Sequence, residues 1–425
     1  MNEASIAFLS GCKNAARLEA EHIANWWATY TVDEHHGGFY GEVGRNNTPV
    51  IESEKSIIQN TRILWFFSEY AHFLRTESLK TKSLKGRGSK SERYEALATR
   101  AFDYLLSYFD DKEQGGVVWQ LDHQGQVTDG KKQTYAISFA IYGLSAYYKL
   151  TNNPQALAKA QEYFGLLEKH ARDHERNGYV EVLSQDWQPL ADVRLSDKDD
   201  NLPKTMNTHL HVLEAYTSLH LVAPTAQTAE ALANLIDLFN DRIIDHDSGH
   251  LRLFMEMDWQ DKSTLWSYGH DIECSWLLFE ALEALGDEQR LQRLTPVVLK
   301  LADTTLAEGI GERGQVFDQF DCIKRINHPE SHWWVQAEAL VGFLNLFYLA
   351  RNEQALDAFN LVWQFINDYH KDDEYGEWHY LSTLDQPSHP AIYKAGGWKA
   401  PYHNGRAMME ICKLVDRICA AEANR

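Results

Sequence analysis

The sequence predicts an all-α fold in which six helical hairpins, joined by short β-hairpin-like loops at the rim, close into an (α/α)6 barrel. Two observations carry this prediction: apolar residues recur with helical spacing along most of the chain, and one turn motif returns at a nearly constant interval. Such a period indicates stacked supersecondary units that bury their faces against their neighbours. We expect one domain that spans residues 1–425.

Helical periodicity dominates the chain, whereas strand-like alternation is short and scarce. Two segments show apolar residues with the spacing of one helix face, the first at Ile57, Ile58, Ile63, Leu64, Phe67, Tyr70 and Phe73, and the second at Leu210, Leu213, Tyr216 and Leu221. We expect each of these faces to pack against a neighbouring helix.

A turn of acidic or polar residues, then glycine, then an aromatic or β-branched pair recurs between the helices. Its copies lie roughly sixty to eighty residues apart, at residues 34–40, 110–118, 176–180, 245–251, 312–317 and 372–378. Each copy is followed by a helix pair, so the inner helices are expected to line a central cleft whose rim is formed by loops. An open solenoid is the alternative, but its repeats are usually shorter and lack the Gly-Gly-aromatic turn.

One stretch departs from the surrounding composition, at about residues 78–93, which are rich in Lys, Ser and Gly. A run of this kind is most often a solvated loop and not a binding tail. We expect a mobile basic loop between two helices, inserted within the domain and not marking a boundary.

Composition argues against several functional classes. The formal net charge of -20 disfavours a nucleic-acid partner, because phosphate binding needs a concentrated basic surface. We recognise no leader peptide and no apolar run long enough to span a bilayer, so a membrane is not an expected partner. The five cysteines fall in no Cys-x-x-Cys or Cys/His ligand spacing, which disfavours a disulfide framework and a zinc site. We expect a cytoplasmic protein with reduced thiols, either a monomer or a weak homodimer.

Two histidines stand in similar settings, flanked by aromatic and small residues. His270 lies in Trp-Ser-Tyr-Gly-His-Asp-Ile-Glu at 266–273, and His403 lies in Trp-Lys-Ala-Pro-Tyr-His-Asn at 398–404. An imidazole titrates near neutrality and can both take and return a proton. Two imidazoles that face one carbon could remove a proton from one side and restore it on the other, which is the chemistry of an epimerase. Taken singly, either histidine is equally well interpreted as a hydrogen-bonded polar residue near a helix end.

Further polar residues fall at the starts of apolar helices, where we expect them to face the cleft. Asn207 and His211 are spaced i and i+4 and share a face, whereas His209 lies on another face and is interpreted as packed. Arg62 is costly to bury unless it meets an anion or an oxygen-rich ligand, with a structural ion pair as the alternative. Glu273 follows the first of the two histidines by three residues, so it can orient that ring or bind a ligand.

Tryptophan is abundant, with 13 residues, and Trp333 and Trp334 are adjacent. Indole faces stack well on the apolar faces of pyranose rings. Core packing explains most tryptophans, yet this number in an acidic chain favours a cleft that binds sugars.

Five motifs, taken in order, make the chain resemble one known family. They are Asn-x-Arg at 60–62, Asn-Thr-His-Leu-His-x-Leu-Glu-Ala-Tyr at 207–216, Gly-His-Asp-Ile-Glu at 269–273, Trp-Trp-x-Gln-Ala-Glu at 333–338 and Trp-Lys-x-Pro-Tyr-His-Asn at 398–404. This set resembles the N-acylglucosamine 2-epimerase superfamily, and most closely its members that act on β-1,4-linked disaccharides. The match runs from about Trp26 to Ile411, and the ordered set is highly specific.

The resemblance implies an (α/α)6 barrel that, without metal or cofactor, interconverts a β-1,4-linked disaccharide ending in glucose, such as cellobiose, with the one ending in mannose. It implies that His270 and His403 are the general acid/base pair. The residues that correspond to ligand-positioning residues of the family are Arg62, Tyr135, Asn207, His211, Glu273, Trp334 and Trp398. Relatives often have Lys-Glu before the paired tryptophans, where this chain has Ser331 and His332.

A mechanism follows as a hypothesis. The C2 proton of an open-chain aldose is acidified by the C1 carbonyl, but its removal still needs a base and stabilisation of the enediolate oxygen. His270 and His403 on opposite faces of C2 would invert that carbon, either through a planar carbon or after rotation about C2–C3. Arg62 and His211 could stabilise the oxygen. A metal route is disfavoured, because no His/Asp/Glu cluster has clear ligand spacing and Asp271 is expected to face away from the cleft.

Four alternatives remain open at this point. An inverting glycoside hydrolase on the same barrel would need two carboxylates across the scissile bond, and Asp271, Glu273 and Glu338 are available for it. A noncatalytic sugar-binding or scaffold solenoid would bind saccharides without product. Within the family, a monosaccharide aldose-ketose isomerase of the mannose type or an N-acylglucosamine 2-epimerase would share both histidines.

Overall fold

The computed structural model describes residues 3–81, 87–388 and 392–423, and twelve α-helices dominate these ranges. They are α1 (Glu3–Tyr30), α2 (Ile57–Thr81), α3 (Arg87–Tyr104), α4 (Thr134–Thr151), α5 (Pro154–Leu166), α6 (Met206–Val222), α7 (Ala226–Leu238), α8 (Tyr268–Leu285), α9 (Glu288–Glu308), α10 (Trp333–Ala350), α11 (Glu353–Tyr369) and α12 (His403–Ala423). One turn of π-helix extends α3, α5 and α7, at Leu105–Phe109, Leu167–Ala171 and Phe239–Ile243. The predicted all-α fold class is confirmed.

The helices form two concentric layers. The even-numbered helices α2, α4, α6, α8, α10 and α12 contact one another in that order, and α12 returns to α2, which closes an inner ring. Outside this ring, α3, α5, α7, α9 and α11 each pack against the inner helix that precedes them. The first helix, α1, packs against the last, α12, so the two ends of the chain form the closing hairpin. The barrel is therefore closed, and the open solenoid is the wrong alternative.

The inner helices are buried around most of their circumference. Residues 57–71 of α2, 134–147 of α4 and 335–347 of α10 are all buried. The interpretation of α2 as a helix with a single apolar face is therefore wrong, because α3, α4 and α12 enclose it from several directions. The outer helices are amphipathic instead: α11 buries residues with helical spacing, among them Phe359, Val362 and Ile366. No helix in the described ranges has an apolar stretch suited to crossing a membrane.

The recurring turns each link an outer helix to the next inner helix. Short antiparallel bridges close them, as between Val32 and Phe39 or between Arg172 and Tyr179. In the second copy, Gly115 and Gly116 have φ angles of 76° and 73°, a left-handed conformation that side chains disfavour and glycine tolerates. This explains the paired glycines of the motif and agrees with the predicted hairpin-like loops.

Strands of two or three residues join neighbouring turns around the rim. Antiparallel sheets are formed by β1 (Lys55–Ser56), β2 (Gln120–Leu121) and β3 (Val127–Asp129), and by β10 (Leu265–Ser267), β11 (Gln319–Asp321) and β12 (Ile326–Asn327). The two-stranded pairs are β4 (Lys132–Gln133) with β5 (Val182–Leu183), β6 (Lys204–Thr205) with β9 (Phe254–Met255), and β7 (Ile244–Asp245) with β8 (His250–Leu251). Four of these strands, β1, β4, β6 and β10, directly precede an inner helix, so the rim fixes where those helices begin.

Buried lysine–aspartate pairs hold four of the turns. In each turn, one aspartate oxygen accepts two backbone N–H groups, and the other binds the ammonium of a lysine that precedes the next inner helix. The pairs are Lys55 with Asp33, Lys132 with Asp111, Lys204 with Asp173 and Lys394 with Asp372, each at 2.7 or 2.8 Å. Burial alone would raise the pKa of these aspartates, but the lysines and turn amides outweigh it and hold each pKa below its ordinary value.

The stretch predicted as a mobile basic loop, 78–93, is helical at both ends. α2 continues to Thr81 and α3 begins at Arg87. The centre of the stretch, residues 82–86, lies outside the described residues, and its mobility stays a prediction. The helices extend into this Lys- and Ser-rich sequence because adding residues to a helix that is already nucleated costs little free energy.

Replacing Lys204 by Met is expected to lower the free energy of unfolding by about 3–5 kcal/mol, because it leaves the buried Asp173 carboxylate without its cation. The same ammonium also donates to the carbonyls of Asn177 and Met257, which would lose their donor. Urea unfolding followed by circular dichroism measures the change. Lys262→Met, at an exposed position, is the control and should shift stability by less than about 0.5 kcal/mol. Equal losses in the two variants would contradict the prediction.

Candidate active site

A cavity of about 640 Å³ opens at the end of the barrel where the inner helices begin. All the residues predicted for the site line it, namely Arg62, Tyr135, Asn207, His211, His270, Glu273, Trp334, Trp398 and His403. Every inner helix contributes at least one of them from its first two turns, and Trp398 comes from the loop before α12. Residues far apart in the sequence meet here because the six inner helices start at the same end of the ring.

His270 lies in the first turn of α8, and Ser267 caps that helix. The Ser267 hydroxyl shares a hydrogen bond of 2.8 Å with Nδ1 of His270, and it accepts the His270 backbone N–H at 3.4 Å. This leaves Nε2 as the ring nitrogen available to the cavity. Burial lowers the pKa of His270 to about 4, although Asp318 opposes the shift, so the ring is neutral near pH 7.

His403 is the first residue of α12. Its Nδ1 donates to Oε1 of Glu338 at 2.6 Å. Because a carboxylate only accepts hydrogen bonds, the ring proton sits on Nδ1 and Nε2 keeps its lone pair. Burial, with the positive charges of Arg62 and Arg406 nearby, holds the pKa of His403 well below its ordinary value. The second predicted histidine is therefore also neutral.

Arg406, one turn further along α12, ties together the carboxylates behind the histidines. Its Nη2 donates to Oε1 of Glu273 at 2.6 Å and to Oε1 of Glu338 at 2.7 Å, and its Nη1 donates to Glu214. The side chain is almost wholly buried and lies over the Tyr402 ring at 4.1 Å. One guanidinium thus donates hydrogen bonds to three carboxylates in the interior of the barrel and offsets part of their negative charge.

Glu214 fixes the ring of His211 through Nδ1, as Glu338 fixes that of His403. It accepts Nδ1–H of His211 at 3.0 Å and the Tyr402 hydroxyl at 2.6 Å. Burial would raise the pKa of Glu214, but Arg406 and His211 outweigh it and the pKa lies below its ordinary value. The His211 ring is fixed, with Nε2 left for the cavity.

Glu273 lines the cavity with one oxygen still unpaired. Its Oε1 accepts from Arg406, whereas the buried Oε2 has no hydrogen-bond partner among the described residues. Burial and the neighbouring Glu338 raise the pKa of Glu273 to about 7, against the influence of Arg406. Near neutral pH this group can therefore either donate a hydrogen bond to a ligand or accept one.

Arg62 forms no ion pair with a carboxylate within the described ranges, so the alternative interpretation of Arg62 as a member of a structural ion pair is wrong. Nη2 donates to the Tyr135 hydroxyl at 2.7 Å, and Nη1 donates to the Trp398 carbonyl at 3.1 Å. The guanidinium lies over the rings of Phe139 and Tyr402, at 4.4 and 4.9 Å. A cation held mainly by neutral groups at a cavity wall is available to a ligand oxygen.

Trp334 stands beside both histidines, with its ring centre 4.8 Å from that of His270 and 5.6 Å from that of His403. Gly269 permits this position, because a Cβ there would lie 2.5 Å from the indole. Trp398 lies across the cavity mouth, 6.4 Å from the Tyr135 ring and 6.1 Å from that of Trp119. Both indoles are only partly buried, as a stacking surface for a sugar requires.

Several buried polar atoms of the cavity wall have no hydrogen-bond partner among the described residues. They include Arg62 Nε, Asn207 Oδ1, Glu273 Oε2, Asp318 Oδ1 and His328 Nε2. An unsatisfied buried polar group costs about 1–3 kcal/mol, so a concentration of them in one place indicates that a polar ligand completes their bonding. A polyhydroxylated ligand such as a sugar fits this set of donors and acceptors.

Glu273, Glu338 and His403 approach closely enough to hold a metal ion, with ligand atoms within 4.8 Å of one another. The sequence did not reveal this cluster, because its members are far apart and show no ligand spacing. However, Arg406 Nη2 already donates to both carboxylates, and Glu338 already accepts from Nδ1 of His403. The bonding of these groups fits a fixed cation supplied by the protein better than a bound metal.

Two secondary expectations agree with the structure. His209 is packed in the interior, where Nδ1 donates to the Thr205 carbonyl at 2.6 Å and Nε2 accepts the Tyr179 amide at 2.9 Å. Asp271 does not line the cavity: it accepts Nδ1–H of His250 at 2.7 Å and the Leu251 amide at 2.9 Å. Sequence reasoning missed the roles of Glu214, Glu338 and Arg406 in orienting the cavity histidines, although two of the three stand inside quoted motifs.

Comparisons with known proteins agree with this geometry. The family model described as N-acylglucosamine 2-epimerase matches residues 37–407. The chain is 42% identical to cellobiose 2-epimerase of Bacteroides fragilis, over 92% of this chain and 95% of that protein, and 33% identical to cellobiose 2-epimerase of Dictyoglomus turgidum, over 93% and 97%. The structure of cellobiose 2-epimerase from Bacillus thermoamylovorans B4167 matches with a TM-score of 0.85 and 33% identity, over 94% of this chain and 98% of that one.

Fold and cavity together define an (α/α)6 barrel with two neutral histidines in a sugar-compatible cavity. The family model matches residues 37–407, so the likeness extends to the sequence of nearly the whole chain and not only to the fold. The chain belongs to the N-acylglucosamine 2-epimerase family.

We expect His270 and His403 to remain neutral as pH falls from 8 to about 5, because the pKa of His270 lies near 4 and that of His403 well below its ordinary value. Nuclear magnetic resonance of histidine labelled with ¹³C and ¹⁵N follows both rings, and His270→Asn and His403→Asn assign the signals. The ¹⁵N shifts should also show the proton of His403 on Nδ1. Protonation of either ring near pH 6.5 would contradict the prediction.

Proposed function

We propose that this protein is an isomerase that reversibly epimerises C2 of the reducing-end sugar in β-1,4-linked disaccharides, with cellobiose and glucosyl-mannose as the principal pair. The observation that carries the proposal is the placement of two neutral imidazoles, His270 and His403, beside the indole of Trp334 in one cavity. The names of the most similar relatives support the disaccharide class. Lactose and mannobiose are further candidate substrates.

His403 is suited to remove the C2 proton in one direction. Glu338 keeps the ring proton on Nδ1, so the Nε2 lone pair is ready to act as a base. The negative charge of Glu338 also stabilises the imidazolium that forms when His403 takes the proton. A low resting pKa keeps the base free of protons before the substrate arrives.

His270 is suited to deliver a proton from the other side. When the Ser267 hydroxyl donates to Nδ1, the ring carries its proton on Nε2, which is the complementary state to that of His403. One ring then accepts a proton while the other supplies one, and C2 is inverted. In the reverse direction the two exchange roles. One of the histidines also assists the opening of the sugar ring.

The enediolate needs positive charge at its oxygens. Arg62 offers a buried guanidinium whose Nε has no partner among the described residues. His211, whose Nδ1–H is held by Glu214, presents its Nε2 lone pair and can accept a hydrogen bond from a sugar hydroxyl. The six inner helices also begin at the cavity, so the positive ends of their dipoles surround it. These contributions are all supplied by the protein, which supports a reaction independent of metal and cofactor.

The geometry disfavours an inverting glycoside hydrolase. Such an enzyme needs two carboxyl groups roughly 6.5–9.5 Å apart on opposite sides of the scissile bond. Here the Oε1 atoms of Glu273 and Glu338 both lie within hydrogen-bond distance of one nitrogen, Nη2 of Arg406. Asp271 is engaged away from the cavity. Of the three carboxylates considered for a hydrolase, Glu273 and Glu338 therefore lie together on one side, and Asp271 does not line the cavity.

We also propose that residues 1–425 form one catalytic domain that works in the cytoplasm as a monomer or weak homodimer. All five cysteines are unpaired thiols, which supports a reducing compartment. The disaccharide is the expected partner, without nucleic acid or membrane.

Deuterium from heavy water is expected to appear at C2 of the product, because the proton removed from C2 passes to an imidazole that exchanges with solvent. His270→Asn and His403→Asn should each lower the epimerisation rate by about 10²–10⁴-fold, the usual worth of one general acid–base group. Products from cellobiose, mannobiose, mannose and N-acetylglucosamine are separated by chromatography and their label is located by nuclear magnetic resonance.

His246→Asn, at an exposed position, is the control for this series and should keep full activity. Full activity in both His270→Asn and His403→Asn, or product without label at C2, would contradict the two-histidine mechanism. Preferential conversion of N-acetylglucosamine would identify an N-acylglucosamine 2-epimerase instead, and a ketose from mannose would identify an aldose-ketose isomerase. Release of glucose from cellobiose would identify a hydrolase.

Activity is expected to survive exhaustive treatment with a chelator, because Arg406 already supplies the positive charge between Glu273 and Glu338. Initial rates of cellobiose conversion are measured after dialysis with and without the chelator, and again after addition of Mg²⁺, Mn²⁺ or Zn²⁺. Full loss in the chelator that a divalent ion reverses would overturn metal independence.

A further inference from the structure

The cavity rim carries polar groups that the reaction at C2 does not use. Asp318, His328 and His332 line the cavity together with Tyr380. None of them lies in the first turns of an inner helix: Asp318 precedes β11, His328 follows β12, and His332 precedes α10. They therefore belong to the rim of the cavity and not to the helix starts that carry His270 and His403.

Asp318 lies beside a histidine at the rim. Its Oδ2 lies 3.0 Å from Nδ1 of His332, and the two side chains are only 15% and 10% exposed. His332 is itself fixed by a backbone bridge to Leu381 and by contact of its ring with Tyr380. Oδ1 of Asp318 is buried and has no hydrogen-bond partner in the described part of the chain.

His328 lies opposite Asp318 at the open end of the β11–β12 hairpin. Its backbone N–H donates to the carbonyl of Gln319, the residue after Asp318, at 2.8 Å. Its Nε2 is buried without a hydrogen-bond partner among the described residues. The hairpin thus presents an acceptor oxygen and an imidazole nitrogen to the same cavity, and no described residue bonds to either atom.

We propose that Asp318 and His328 bind hydroxyl groups of the second sugar ring, the one that is not epimerised, and that Asp318 excludes sugars that carry a negative charge at this position. The inference rests on the proposed function and extends it to substrate selection. His332 acts as a positioning residue for Asp318.

The position of Asp318 and His328 at the rim indicates that they meet the second sugar ring and not the ring that reacts. The reacting carbon must lie within reach of both His270 and His403, which stand in the first turns of α8 and α12 beside Trp334. A disaccharide whose reducing end occupies that level extends its other ring towards the rim. A carboxylate that only accepts and an imidazole that can donate or accept match sugar hydroxyls, which do both.

Charge gives this site its selectivity. Burial would raise the pKa of Asp318, but His332 and His270 outweigh it, so the carboxylate is ionised near neutral pH. Lys198 lines the same cavity, but Asp197 and Asp199 flank it there. A second carboxylate brought by a uronic acid would be repelled by Asp318 in a partly desolvated position.

The test compares cellobiose with β-glucuronosyl-(1→4)-glucose, which differs only by a carboxylate on the second ring. Dissociation constants are measured by calorimetry for the full-length protein and for Asp318→Asn. The variant should bind cellobiose about tenfold more weakly, since it loses a hydrogen bond to a charged group. It should bind the glucuronosyl sugar more tightly than the unmodified protein does, because the repulsion is gone.

Asp321→Asn is the matched control: it removes the same charge from the same hairpin, at a residue that does not line the cavity, and asparagine retains the acceptor oxygen for the Ile323 and Lys324 amides. Asp321→Asn should change the dissociation constant of neither cellobiose nor the glucuronosyl sugar. His328→Gln should weaken cellobiose binding without strengthening that of the glucuronosyl sugar, and it tests the site if Asp318→Asn does not fold.

Equal weakening of both sugars in Asp318→Asn, or the same behaviour in Asp318→Asn and Asp321→Asn, would overturn the proposal. These measurements need no turnover. Failure of the unmodified protein to epimerise cellobiose would therefore refute the proposed function alone, whereas opposite shifts in the two binding constants would still support the site.

Discussion

The chemistry of the cavity depends on one buried cation, the guanidinium of Arg406. It donates to Glu214, Glu273 and Glu338, which stand on α6, α8 and α10, so a single side chain on α12 connects four of the six inner helices. Without it, three carboxylates would share a region of low polarity, and some of them would have to take up protons. The hydrogen bonds that set the ring protons of His211 and His403 would be lost with their charge.

The barrel determines where those groups meet. Each inner helix starts at the rim, and the residues that face the cavity are drawn from its first turns. Four of these starts follow a lysine whose ammonium is locked to an aspartate of the preceding turn. The turn thus fixes the axial position of the helix, and with it the height at which residues such as Arg62 and Asn207 enter the cavity. Stability of the rim and accuracy of the site have the same physical source.

Much of this arrangement was predictable from the sequence. The recurring Gly-containing turn indicated the number of repeats, and the ordered motifs contain every predicted cavity residue except Tyr135. The partnership of Arg406 with Glu214 could not be predicted, because the two residues are 192 positions apart and no spacing rule connects them. The lysine before an inner helix could have been noticed, since Lys55, Lys132 and Lys204 occupy the same place in their repeats. Hydrophobic periodicity did not predict the burial of α2 on several sides, because a helix enclosed in this way has no polar face and therefore no periodic pattern.

Closure of the ring by its two ends has a consequence for biosynthesis. The helix that carries His403 and Arg406 leaves the ribosome after the other five inner helices, and the helix it packs against, α1, leaves before them. During translation, which proceeds from the N-terminus, the other inner helices can assemble while their carboxylates still lack the central cation and their cavity lacks its base. A nascent chain that has not yet reached α12 therefore lacks both groups on which the chemistry of the cavity depends.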